Sequence, residues 1–161
     1  VRSLGAGSAR LAALQPGTKV AVEGPYGMFT DASRTRERGV LVGAGIGIAP
    51  VRALLESTRF APGDAAVILR ASTPDELYLL DEVRALCATK GASLQVLVGP
   101  RAGASWVPRS YAGAHLTDLV PWATDADLYV CGPEAWMDAV LRNADECGIP
   151  ALQIHDERFA W

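Results

Sequence analysis

The chain has 161 residues, 50% of them hydrophobic and 20% charged, with a formal net charge of −3 at pH 7. That is enough for one domain of ordinary size plus a smaller piece, and enough apolar side chain to bury a core, which excludes intrinsic disorder. No long basic run offers a nucleic-acid surface, and no apolar run approaches the ~20 residues that span a bilayer.

Cys87, Cys131 and Cys147 are odd in number, lack Cys-x-x-Cys spacing and are joined by only two histidines, His115 and His155. Neither a disulfide framework nor a metal site is expected, and a reducing, cytoplasmic setting is the default. The chain opens at Val1 in mid-pattern without a signal-like segment, as a piece of something longer would.

In chain order, residues 8–14 suit a short helix capped by Ser8, residues 20–23 a short strand, and Gly24-Pro25-Tyr26-Gly27 a turn. One strand and one small helix cannot make a core, so residues 1–30 read as the edge of a neighbouring domain. Residues 31–38, polar and rich in charge, read as a linker.

At Gly39 the pattern changes. Val40-Leu41-Val42 is a short apolar run suited to a central parallel strand, and it leads into Gly43-Ala44-Gly45-Ile46-Gly47-Ile48-Ala49-Pro50. Glycines free the backbone there, Pro50 suits a first helical turn, and residues 51, 54 and 55 continue at helical spacing. A strand, a bare turn and a helix N-terminus form a place for a pyrophosphate, because free amides and the positive end of the helix dipole face the anion. The motif alone leaves two readings open. A dinucleotide fingerprint would carry glycine at Ile48 and an acid at the end of the next strand, where the chain reads Leu69-Arg70-Ala71-Ser72-Thr73. The other reading has the glycines serve strand-to-helix packing alone.

From here strands and helices alternate. Strands are expected at residues 65–69, 94–98, 128–131 and near 152–155, and helices at 74–88, around 115–120 and at 134–147. The sum is an α/β fold: a three-layer, doubly wound, five-stranded parallel sheet of order 3-2-1-4-5, preceded by the remnant of another domain. Its ligand belongs at the carboxyl ends of the strands. Four features fall there: the glycine turn, Gly99-Pro100-Arg101, Cys131-Gly132-Pro133, and the tail His155-Asp156-Glu157-Arg158-Phe159-Ala160-Trp161.

These residues carry a family resemblance. Gly45-Ile46-Gly47-Ile48-Ala49-Pro50, Val130-Cys131-Gly132-Pro133 and the terminal Glu157 with Phe159, in that order and spacing, resemble the nicotinamide-binding half of the ferredoxin–NADP reductase superfamily, in particular its bacterial ferredoxin-reductase-like and ferric-reductase-like members. Upstream, the segment holding Gly7 and Ser8 resembles the family's flavin-pyrophosphate segment, and residues 23–29 its barrel-exit loop. The resemblance divides the chain into a remnant of a β-barrel FAD-binding domain (1–30), a linker (31–38) and an NAD(P)-binding domain (39–161).

The resemblance further implies that Gly45, Gly47 and Pro50, with Ile46, Ile48 and Ala49 between them, cradle the pyrophosphate. Cys131, in its Cys-Gly-Pro turn with Gly132 and Pro133, lies beside the nicotinamide, where a small polarizable thiol can pack. Glu157 orients the nicotinamide or relays a proton, and Phe159 or Trp161 covers the flavin ring. Alternatively, Cys131 is an inert core thiol and the tail residues are solvated or mere anchors. Arg101, Arg109 and Tyr111, with Arg70 and Ser72 from the second strand and no competing acid, favour NADP(H) over NAD(H), although Pro100 stands where NADP-using relatives carry serine.

The implied protein is a flavin-dependent oxidoreductase that takes a hydride from NAD(P)H onto FAD, held mainly by an absent domain of the same parent chain. It passes electrons to an acceptor protein, a haem domain or a ferric chelate. The fragment itself should bind dinucleotide weakly and hold no flavin. It would lie in the cytosol, free or at the cytosolic face of a membrane-bound parent. Two other classes stay open: a nucleotide-binding module without redox turnover, and a flavin-independent dehydrogenase using His115, His155 or Glu157 as acid or base.

Overall fold

The structure is a computed structural model and describes residues 5–23 and 27–158. Its centre is a five-stranded parallel sheet made of β1 (Arg38–Ala44), β2 (Ala65–Ala71), β3 (Ser93–Val98), β4 (Ala126–Cys131) and β5 (Ile154–Glu157), in the order β3-β2-β1-β4-β5. The expected order is thus the observed one. β1, β2 and β4 are buried along almost their whole length, as strands covered on both faces must be.

Alternate residues feed two cores. Val40, Val42, Ala66, Ile68, Leu128 and Val130 point to one face, where α5 (Glu134–Glu146) contributes Trp136, Met137 and Val140. Leu41, Val67, Leu69, Tyr129 and Cys131 point to the other, against α2 (Ile48–Ser57) and α3 (Leu80–Lys90). On α2, Ile48, Val51, Leu54 and Leu55 are between 0% and 4% exposed. Each such side chain is worth about 1.5–3 kcal/mol in transfer terms, so this face fixes where the helix begins and hence where the glycine turn sits.

Several expectations shift. The helix expected at 8–14 is α1 (Ala6–Ala12), and Ser8 is its third residue, exchanging hydrogen bonds with Gly5 rather than capping the helix itself. Among the described residues no strand forms at 20–23, where Val20 and Val22 are 58% and 86% exposed and so lack the buried face that holds a strand in place. The helix expected from residue 74 is a 3-10 turn, Pro74–Glu76, followed by a break at Leu79 with φ +60°, and α3 starts at Leu80. α4 (Leu116–Leu119) is one short turn. β5 begins two residues later than expected and runs through Glu157, because it pairs with β4 in a register that sets Glu157 opposite Cys131.

Candidate nucleotide site

The glycine turn resolves into two separate requirements. Gly45 opens a 3-10 turn, Gly45–Gly47, with φ +56°, and a Cβ built on it would meet nothing within 4 Å. Its need for glycine is conformational, and its open side faces a ligand-sized space. Gly47 is the reverse case. A Cβ there would lie 2.0 Å from the Cys131 carbonyl oxygen, so the start of α2 rides directly on the end of β4. Gly132 is equally crowded, since its Cβ would fall 2.7 Å from the Trp136 ring. Ile46 is half-exposed, Ile48 is buried, and Ala49 and Pro50 form the first turn of α2. An anion at such a turn meets amides that lack partners within it; the Ile48 amide is not one of them, since it bonds back to the Gly45 and Ile46 carbonyls, and Pro50 has no N–H.

Beside Gly45 lies a cavity of about 330 Å³ lined by Ala44, Gly45, Arg70, Ser72, Arg101 and Pro133, with Glu76, Tyr78 and Trp136 closing it. Arg70 is its most unusual wall. At the end of β2 it is 4% exposed, and it donates to the Ser72 hydroxyl at 3.2 Å and to the Gly99 carbonyl at 2.6 Å. Its Nε is buried without a hydrogen-bond partner. Burial first, then the neighbouring Arg101 guanidinium, pushes Arg70 down from its ordinary value, and Glu76 pulls it back. A buried cation with a spare donor beside a second cation calls for an anion. Arg101 is held ready by its own loop, donating to the carbonyls of Ser105 at 2.9 Å and Ala104 at 3.2 Å.

The other expected residues fall in three places. Cys131 is fully buried at the end of β4 and does not line the cavity. Its thiol donates to the Glu157 carbonyl at 3.5 Å, and burial, with Glu157 and Asp156 adding to it, pushes it up to about 12. Glu157 is a half-buried member of β5, and a Cβ on Gly27 would come within 4.0 Å of its carboxylate. Arg109 and Tyr111 sit on an exposed 3-10 turn outside the cavity lining. Gly7 and Ser8 lie on α1, none of whose residues is buried, and the Ser8 hydroxyl is engaged with Gly5. Phe159 and Trp161 lie outside the described residues.

Three further residues line the crevice: Trp136, Glu76 and Tyr78. Trp136 belongs to the helix after Cys-Gly-Pro, and its indole donates to the Trp106 carbonyl at 2.9 Å, which turns its ring toward the crevice wall. Glu76 accepts from the Ser72 amide at 2.8 Å, which folds it back over the end of β2. The spacing Thr73-Pro74-Asp75-Glu76 is the clue that could have located it, since Thr-x-x-Glu marks a helix start whose glutamate reaches backward. Tyr78 has no comparable signal.

Residues 41–142 match the family described as oxidoreductase NAD-binding domain. The chain belongs to that family. Among relatives, this NAD-binding domain is 29% identical over 166 residues to ferredoxin–NADP reductase B of Sorangium cellulosum, covering 96% of the chain and 68% of the relative. It is 30% identical over 162 residues to the ferredoxin–NAD(+) reductase component of the alkene monooxygenase system of Xanthobacter autotrophicus, covering 96% and 49%. The flavohemoglobin of Malassezia yamatoensis, solved with bound FAD and haem, superposes with a TM-score of 0.68 at 20% identity, over 99% of this chain and 42% of that one. That likeness establishes the fold. The domain therefore spans about two thirds of the first relative and half or less of the other two. The crevice that holds Gly45 and Arg70 lies at the carboxyl ends of the strands.

Proposed function

We propose that this domain is the NAD(P)H-binding part of a flavin-dependent oxidoreductase. When bound, the dinucleotide supplies a hydride for a flavin carried by another lobe of the parent protein, and the electrons pass on to a one-electron acceptor. The observation that carries the reading is the convergence on one crevice of the open Gly45 turn and of the buried Arg70 guanidinium, whose Nε has no partner. The chain's residues bind, orient and exclude water there, so its contribution to rate is proximity and alignment.

In this reading the Gly45 turn and the start of α2 hold the pyrophosphate, while Arg70, Ser72 and Arg101 hold a phosphate on the adenine ribose. The preference is for NADP(H). Two guanidinium groups, one of them desolvated, favour a dianion over a neutral hydroxyl. Arg109 and Tyr111 would reach the ligand only from the rim. At the nicotinamide end, Cys131 holds its proton at neutral pH, so its part is to pack and not to react, and Glu157 is the nearby carboxylate for orientation. Residues 1–30, in the same reading, belong to the flavin-binding lobe, with Phe159 or Trp161 on the flavin side. The acceptor, whether a ferredoxin-like or oxygenase component, a haem domain or a ferric chelate, docks on parts beyond this chain, and the parent works where cytosolic dinucleotide is available.

Glu76 favours a second cofactor reading. It stands in the same crevice, where a carboxylate can accept from the free ribose hydroxyl of NAD(H). Calorimetric titration of the chain with NADP⁺ and NAD⁺ at low and moderate salt decides between them. Tighter NADP⁺ binding that weakens with salt supports the arginine pair, and preferential NAD⁺ binding gives Glu76 the ribose. Absence of binding by the chain and by a flavin-bearing parent alike would overturn the function.

A further inference from the structure

At the opposite end of the sheet from the crevice, Asp127 is a fully buried carboxylate with four donors. Its Oδ2 accepts the amides of Thr35 at 2.7 Å and Arg36 at 2.6 Å. Its Oδ1 accepts the Thr35 hydroxyl at 2.9 Å and faces His155 Nε2 at 3.0 Å. Three donors come from the segment that leads into the domain, and one from β5. The segment is also tied to the domain by Arg34, which donates to the Arg59 carbonyl at 3.2 Å and lies over the Phe60 ring, but these contacts do not reach β5. None of residues 30–38 is buried, so the hydrophobic effect does not seat that segment. β5 is a four-residue edge strand, paired on one side with β4.

Further contacts run between the same partners. Arg36 donates to the Gln153 side chain at 3.0 Å, just before β5, and Gln153 in turn donates to the carbonyls of Thr124 and Ala126. The Tyr129 hydroxyl donates to the Thr30 carbonyl at 3.3 Å. Its ring meets Phe29 edge-on at 5.5 Å and stacks on His155 at 4.5 Å. Asp127 is the one group in this set that bonds directly to both the incoming segment and β5. Charge-assisted bonds to a desolvated carboxylate are the strong kind, and losing their acceptor leaves several donors unpaired at once.

We infer that Asp127 is a positioning residue that locks residues 30–36 and β5 into one body. β5 ends at Glu157, and Asp127 lies four residues, roughly 13 Å, below Cys131 on β4. The consequence is that residues 29–36 keep a fixed orientation to the strand end that carries Glu157. Asp127 touches no dinucleotide in this scheme. It acts through the two elements it joins, and its functional part rests on the flavin reading above.

The test measures amide hydrogen exchange and trypsin cleavage after Arg34, Arg36 and Arg38 in the wild-type chain, in Asp127→Ala and in Asp127→Asn. The expected result is a paired loss in Asp127→Ala: exchange at Thr35, Arg36, Asp156 and Glu157 accelerates roughly tenfold or more and trypsin cuts the segment, while β1 and β2 keep their protection. If Asp127→Ala unfolds, Asp127→Asn retains the shape and one acceptor oxygen, and the same paired loss is expected at smaller amplitude. Loosening of residues 35–36 with β5 unchanged, or no loosening at either, would overturn the lock. In a flavin-bearing parent, Asp127→Asn should lower the rate of flavin reduction at saturating dinucleotide and leave dinucleotide affinity within about twofold, since the crevice is at the far end of the strands. A wild-type parent whose flavin is not reduced would defeat the function reading and leave the exchange result to stand alone.

Discussion

A Cβ at position 47 would lie 2.0 Å from the carbonyl oxygen of Cys131, inside any tolerable contact, so the helix that opens the nucleotide site is seated on the strand that ends at the Cys-Gly-Pro turn. Packing thus requires glycine at 47, whereas the glycine at 45 is left for its backbone conformation and for the proposed binding. Gly47→Ala should cost about 2–4 kcal/mol, because backbone and not a flexible side chain must give way, and urea denaturation would read it. Gly45→Ala meets no atom and should cost only about 1 kcal/mol for its positive φ, yet weaken dinucleotide binding. Equal stability losses at the two positions would contradict the division.

Arg70→Gln removes the buried guanidinium while keeping a polar side chain. NADP⁺ affinity should fall by roughly 10- to 100-fold, as expected for losing charge-assisted bonds to a phosphate, with NAD⁺ affinity much less affected. The pair of calorimetric constants checks it. A similar loss for both nucleotides would place Arg70 at the shared pyrophosphate.

Trp136 reports on the crevice. It lines the cavity and is 3% exposed, so dinucleotide should change its fluorescence, and Trp136→Phe should abolish most of that change. The same substitution leaves the Trp106 carbonyl without its donor and should cost about 1–3 kcal/mol in a urea titration.

The Cys131 thiol bears on alkaline stability. Its folded value, about 12, is above the ordinary value of 9.0, so the unfolded chain releases this proton first as pH rises. The contribution is fully present below pH 9 and is lost between pH 9 and about 12, with a slope approaching about 1.4 kcal/mol per pH unit. Cys87, also raised by burial, adds in the same direction. Urea midpoints measured from pH 7 to 10.5 should fall less steeply for Cys131→Ala than for wild type. Below pH 9 the thiol should resist alkylation in the folded chain.

Much of the fold is legible in the order of residues. Val40-Leu41-Val42, the apolar run 65–69 and the run 128–131 are each too apolar for an exposed strand, and the helices between them require parallel crossovers. Strand order and the two-faced core follow. Boundaries were less legible where tertiary contacts set them: β5 reaches Glu157 because β4 offers it a strand to pair with, and residues 20–23 form no strand among the described residues. The 74–88 helix breaks at Leu79, a leucine in the left-handed region that no local rule predicts.

By itself, then, the sequence determined the topology, the glycine turn and the end of the sheet at which a ligand belongs, because these depend on periodicity and on residue types with distinctive backbone freedom. Only the tertiary structure separated Gly45 from Gly47, buried Arg70 with a spare donor, brought Glu76 and Trp136 into the same crevice, and joined Thr35 to His155 through Asp127. Those facts depend on which atoms from distant parts of the chain meet and which lose their water, and no local pattern encodes that.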